Sequence, residues 1–173
     1  MMANSKLKYY FPLGLIICIV LDGTLSSLYA QYFFTSSISI ESRLTLLWLV
    51  MAIFYGEVDR LMLWAFIAGL IFDMYYTGIL GIFMIIFPLI VYLNREVYRF
   101  FTSNFIVVLL IYLIDVTLVT ALAYWANSLI GLTATGSADF VVQTLGPSLA
   151  YNLAVFSLLF IPVKNFFEKY SSR

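Results

Sequence analysis

Three carboxylates are the residues of this sequence whose chemistry most needs explaining. Asp22, Asp73 and Asp115 each end an apolar run, IVLD, LIFD and YLID. An ionisable side chain inside a membrane costs several kcal/mol unless it is shielded or paired. Two chemistries follow from that cost. In one, each acid is hydrogen-bonded to polar partners within a helical bundle. In the other, the acids line a polar cavity that opens outward and takes a ligand, a cation or a partner's side chain. Partners stand at helical spacing: Ser26 lies one turn beyond Asp22, and Thr144, Ser148 and Asn152 recur at i, i+4 and i+8. Asp22, Asp73, Asp115 and Asn152 are thus the candidate binding residues, an intramembrane polar layer. Should the three acids converge, mutual repulsion requires at least one to be protonated.

Other chemistries are excluded by what the chain lacks. Histidine is absent and Cys18 is the sole cysteine, which removes His/Cys metal clusters, Cys–His and Ser–His nucleophiles and any intramolecular disulfide. Cys18, within an apolar run, reads as a small buried hydrophobe. Neither a YD nor a GxGD pattern accompanies any of the three acids, so no intramembrane aspartyl enzyme is expected, and no cofactor. Nine basic and nine acidic residues balance to zero, which gives no electrostatic case for nucleic acid. With 64% of the residues hydrophobic and 10% charged, there is too little charge to clothe a soluble fold.

The elements that must carry these acids are therefore membrane helices. A first span runs from about Tyr9 to Phe33, too long for a signal peptide and without a small-x-small cleavage site, so it is read as retained. The second covers 44–56. Two arms, 61–76 and 78–93, form a hairpin turning at Thr77-Gly78, and 94–101 (NREVYRFF) reads as an interfacial loop. The fifth span covers 103–126, residues 127–140 have the composition of a loop, and the sixth span covers 141–163. The tail from Lys164 is amphipathic and basic, as in a membrane-surface anchor. The fold expected is an all-α membrane protein, a six-helix transmembrane bundle in a single domain (1–173) with a short central hairpin.

Each hairpin arm would span about 21 to 26 Å, short of a hydrocarbon core about 30 Å thick. The tip should therefore dip into the outer bilayer, with the other helices around it. Gly78 supplies the freedom of a tight turn, and Gly69 and Gly81 are expected to allow close helix contact. Counted from Tyr9, Leu61 and Ser103, the acids lie 13, 12 and 12 residues into their spans. That depth is about 18 to 20 Å in each case, which predicts one common level. Loop charge gives orientation: Lys6, Lys8, Arg60, Arg95, Arg99, Lys164, Lys169 and Arg173 fall on one side and Arg43 alone on the other, so both termini should be cytoplasmic.

The hairpin residues Gly69-Leu70-Ile71-Phe72-Asp73, followed by Gly78 and Gly81, resemble the glycine- and aspartate-bearing run of the MreD family, small integral-membrane rod-shape-determining proteins. Length and span number are similar as well. The resemblance implies a non-enzymatic scaffold of the cell-wall elongation machinery in the bacterial cytoplasmic membrane. Its implied partners are an MreC-like bitopic protein, peptidoglycan synthases of the RodA and class B penicillin-binding types, and membrane lipids. It also implies similarity to the substrate-binding subunits of energy-coupling-factor transporters, so the alternative function is a vitamin or small-molecule uptake subunit. The Ala-x-x-x-Ala docking signature of those subunits is missing from the first span.

Overall fold

The computed structural model describes residues 6–35, 37–133 and 135–171. In chain order the helices are α1 (Leu7–Leu28), a short α2 (Ala30–Phe33), α3 (Leu44–Tyr55), α4 (Leu61–Phe72), α5 (Ile82–Tyr98), α6 (Phe105–Leu129), a short α7 (Ser137–Phe140) and α8 (Gly146–Tyr170). A π turn at Asp73–Thr77 prolongs α4, and a second at Val141–Leu145 joins α7 to α8. The one strand-like feature among the described residues is an isolated bridge between Phe34 and Ser39.

A helix that is apolar on every side has to be enclosed. All twelve residues of α3 are buried, and it packs on α1, α4, α5, α6 and α8. The expected centre was the 61–93 hairpin, but the structure places α3 there instead. The hairpin is peripheral: Met62, Leu63 and Phe66 of α4 and Ile85 and Leu89 of α5 are exposed. At 1.5 Å per residue α3 is only about 18 Å long, well short of a hydrocarbon core. Its first turn starts inside the protein, where Ser42, Arg43, Leu44 and Thr45 are all buried.

Around α3 the helices bury one stripe and leave an apolar outer face. In α1 the stripe is Leu7, Phe11, Leu15, Ile19 and Asp22, while Leu13, Ile16, Ile17 and Val20 are exposed. Leu7–Leu28, Phe105–Leu129 and Ser137–Tyr170 are long and apolar enough to cross a membrane, and Leu44–Tyr55 and Leu61–Thr77 are shorter apolar helices.

Several expected boundaries move. Helix α1 stops at Leu28, five residues before Phe33. The segment expected as an interfacial loop is helical from Asn94 to Tyr98, because Asn94 is buried and tied to α6. Of the expected loop at 127–140, Asn127–Leu129 belong to the end of α6 and Ser137–Phe140 form α7, and the connection between them is 130–136. The expected surface tail is the end of α8, and Phe167 is fully buried, its ring centroid 4.7 Å from that of Trp48 and 6.5 Å from that of Phe11. Arg173, counted above among the inner charges, lies outside the described residues.

The hairpin depends on its glycines in two different ways. A Cβ on Gly69 would overlap the main chain of Phe83 and come within 2.7 Å of Met84 Cα, so α4 and α5 meet backbone to backbone. Gly78 and Gly81 have φ of 69° and 116°, a region open to glycine at little cost. Gly81 was expected to permit close helix contact; a Cβ there would meet nothing within 4 Å, and it is backbone conformation that calls for glycine.

Candidate functional site

The first N–H groups of a helix have no partner within it, and in a buried setting each must find one. At α3 the partners come from three directions. Asp22 on α1 accepts Leu44 N (2.8 Å) and Ser42 Oγ (2.7 Å) on Oδ1, and Thr45 N (2.9 Å) and Thr45 Oγ1 (2.7 Å) on Oδ2. Asn152 on α8 accepts Arg43 N through Oδ1 at 3.1 Å and donates through Nδ2 to the carbonyls of Glu41 and Ser148, both at 2.8 Å. The Tyr112 hydroxyl on α6 donates to Asn152 Oδ1 at 3.0 Å, with the Arg43 carbonyl 3.2 Å away. Negative charge at a helix N-terminus also opposes the helix dipole favourably, by up to about 2 kcal/mol in partly buried settings.

The same device recurs in the hairpin. Asp73, fully buried, accepts Gly81 N (2.9 Å), Phe83 N (2.9 Å) and Met84 N (3.1 Å), so the last turn of one arm caps the first turn of the next. The π turn widens the helix at this point, and Thr77 Oγ1 adds a long 3.4 Å contact to the carboxylate. Asp115 differs. It accepts Asn94 Nδ2 at 2.6 Å and joins α6 to α5 side chain to side chain.

The expected single level does not survive this geometry. Asp73 binds α5 at Phe83 while Asp115 binds it at Asn94. Eleven residues along one helix axis are about 16 Å. Asp22 and Asn152 do come together, on the first turn of α3. Ser26, expected as a partner of the Asp22 carboxylate, instead donates to the Asp22 main-chain carbonyl at 2.8 Å. Of the Thr144, Ser148 and Asn152 face, the latter two are buried, and Ser148 Oγ accepts Glu41 N at 2.9 Å. Thr144 lies in the π turn, where the 3.6-residue register is interrupted.

A cavity of about 290 Å³ adjoins the α3 cap, lined among others by Asp22, Ser26, Glu41, Arg43, Tyr76 and Asn127. It lies at the end of the bundle where α1 and α6 finish and the hairpin turns. Asp73 and Asp115 are not part of its lining. The Arg43 side chain is 4% exposed, ion-paired through Nη2 to Glu41, and stands over the Phe83 ring with its Cζ 5.1 Å from the centroid. Its buried Nε has no hydrogen-bond partner. Among the described residues no group of three His, Cys, Asp or Glu could hold a metal ion. The residues missed from sequence are Glu41, Ser42, Arg43, Thr45, Asn94 and Tyr112. Two signals existed: the Ser-Arg-Leu-Thr cluster just ahead of an apolar run, and Arg43 itself, the lone basic residue against the charge bias.

Apolar outer faces, inward polar groups and helix ends capped from other helices define an integral membrane protein of the multi-helix kind. The chain belongs to the MreD family, whose model, described as rod shape-determining protein MreD, matches residues 8–170. It is similar to the rod shape-determining protein MreD of Bacillus subtilis (strain 168), 25% identical over 160 residues that cover 92% of this chain and 93% of that protein. No solved structure matches it. Family membership gives the chain a role in determining cell shape.

Proposed function

We propose that this protein is a non-enzymatic scaffold of the cell-wall elongation machinery, holding an MreC-like bitopic protein and peptidoglycan synthases of the RodA and class B penicillin-binding types side by side in the cytoplasmic membrane. The observation that carries this reading is where the polar groups go. The carboxylates of Asp22 and Asp73 and the amide of Asn152 are spent on backbone N–H groups at helix starts. Groups so committed make a rigid bundle and leave little for transforming a substrate. What the bundle offers its neighbours is apolar surface, such as Ile106, Leu110 and Ile114 on α6 and Leu158 and Ile161 on α8. In this reading the chain crosses the bilayer six times with both ends in the cytoplasm.

Affinity purification from detergent tests it. The scaffold should bring down a bitopic protein and a wall synthase. The cavity of about 290 Å³ is what favours the alternative, an uptake-transporter subunit; recovery of ATPase subunits with no wall-synthesis protein would establish that reading and end the first.

A further inference from the structure

The guanidinium of Arg43 is ion-paired but incompletely hydrogen-bonded. It is almost wholly buried, lines the cavity, and gives one nitrogen to Glu41 while Nε has no partner. Asp22 is adjacent but cannot serve it: its two oxygens already take four donors from Ser42, Leu44 and Thr45. A buried guanidinium N–H left without an acceptor is costly, and the group satisfies itself best with a planar or tetrahedral oxyanion that bonds two nitrogens at once. A cationic occupant would do the reverse, drawing Glu41 away and leaving Arg43 bare.

From this we infer that the cavity is a phosphate-binding site, with the Arg43 guanidinium, through the Nη2 that Glu41 now holds, as the first donor, Asn127 of its lining as a second, and Glu41 as the latch an incoming phosphate displaces. Glu41 suits that part because its side chain is 34% exposed, against 4% for Arg43, and can swing outward. Aromatic residues mark the mouth: Phe34 and Tyr76 line the cavity and are half exposed, with Tyr75 beside them exposed. Tyrosine and its neighbours concentrate at headgroup depth, which puts lipid phosphate within reach. A volume of about 290 Å³ accommodates a phosphate with a small esterified group. The inference does not depend on the scaffold reading and fails separately from it.

Native mass spectrometry of the intact protein, purified in detergent and titrated with phosphatidylglycerol or with inorganic phosphate, reads this directly. Glu41→Gln should increase the bound fraction several-fold, because the latch is removed and the guanidinium kept. Arg43→Gln should abolish binding. Retention of phosphatidylglycerol alone assigns a lipid headgroup, and competition by inorganic phosphate assigns a free anion; either supports the site. Wild-type levels of bound phosphate or lipid in a folded Arg43→Gln protein would overturn it. So would an unchanged bound fraction in Glu41→Gln, which decides the matter by itself if Arg43→Gln does not fold. Loss of a co-purifying partner from Arg43→Gln with lipid binding intact would assign the guanidinium to a protein carboxylate, and would equally overturn the proposal.

Discussion

Asp22 and Asp115 are both buried acids, yet the structure gives them different tolerance to the same isosteric change. Asp22 uses both oxygens as acceptors for four donors. An amide in its place turns an NH₂ toward two of those donors, and buried groups left facing one another unpaired cost about 1–3 kcal/mol each. Asp22→Asn is therefore expected to destabilise by ~2–4 kcal/mol, read as a fall in thermal unfolding temperature in detergent. Asp115 takes one donor, Asn94 Nδ2, and an asparagine can still accept it through its oxygen. Asp115→Asn should cost less than about 1 kcal/mol in the same assay. Equal losses at the two positions would show that the pattern of donors is not what matters.

At the scale of elements, the α4–α5 hairpin is fastened by a backbone contact at Gly69 and a carboxylate cap at Asp73. These should fail differently. Gly69→Leu forces the arms apart at the Phe83 main chain, an overpacking effect of at least about 1–3 kcal/mol, and should speed proteolysis within the hairpin. Gly78→Ala meets open space and carries only the strain of a positive φ, about 1 kcal/mol. Asp73→Ala strips three N–H groups of their acceptor and is expected to approach the Gly69→Leu loss. Hydrogen exchange should locate the Asp73→Ala defect at Gly81–Met84, whereas the Gly69→Leu defect should extend along both arms. The second π turn plays a related part, bringing Ser148 and Asn152 to the α3 cap from a helix that would otherwise carry Thr144 in register with them.

For the whole molecule, the enclosed and very short α3 is surrounded by α1, α4, α5, α6 and α8, which keep their polar groups inward and their outer faces apolar. The proposed topology has a direct test. Cysteines placed at Lys8 and Lys164 should react with an impermeant maleimide only in inverted vesicles, and one at Thr133 only in right-side-out vesicles. Reaction of Lys8 and Lys164 positions from opposite sides would refute an even number of crossings. The outer face of α6 and α8 is where a partner helix would lie in the scaffold reading. Leucine-to-asparagine changes at Leu110 or Leu158, both exposed, should weaken co-purification without lowering the unfolding temperature.

Composition and pattern sufficed to show a helical membrane protein, to rule out histidine and cysteine chemistry, and to single out Asp22, Asp73, Asp115, Asn152 and the hairpin glycines. They sufficed because the cost of an acid in an apolar run is a local property, visible in the run itself. The partners were a different matter. Asp73 binds main-chain N–H groups, which nearly every residue possesses, so no side-chain type announces them, and for Asp22 only the Ser42 and Thr45 hydroxyls add a side-chain signal to the N–H groups it caps. Which helix is central was hidden for the same reason: lipid-facing and core-facing surfaces are both apolar, and only packing separates α3, buried throughout, from the hairpin at the edge. Tertiary structure also turned Arg43 from a stray charge into a cavity wall, because its neighbours come from α1, the hairpin and α6, far apart along the chain.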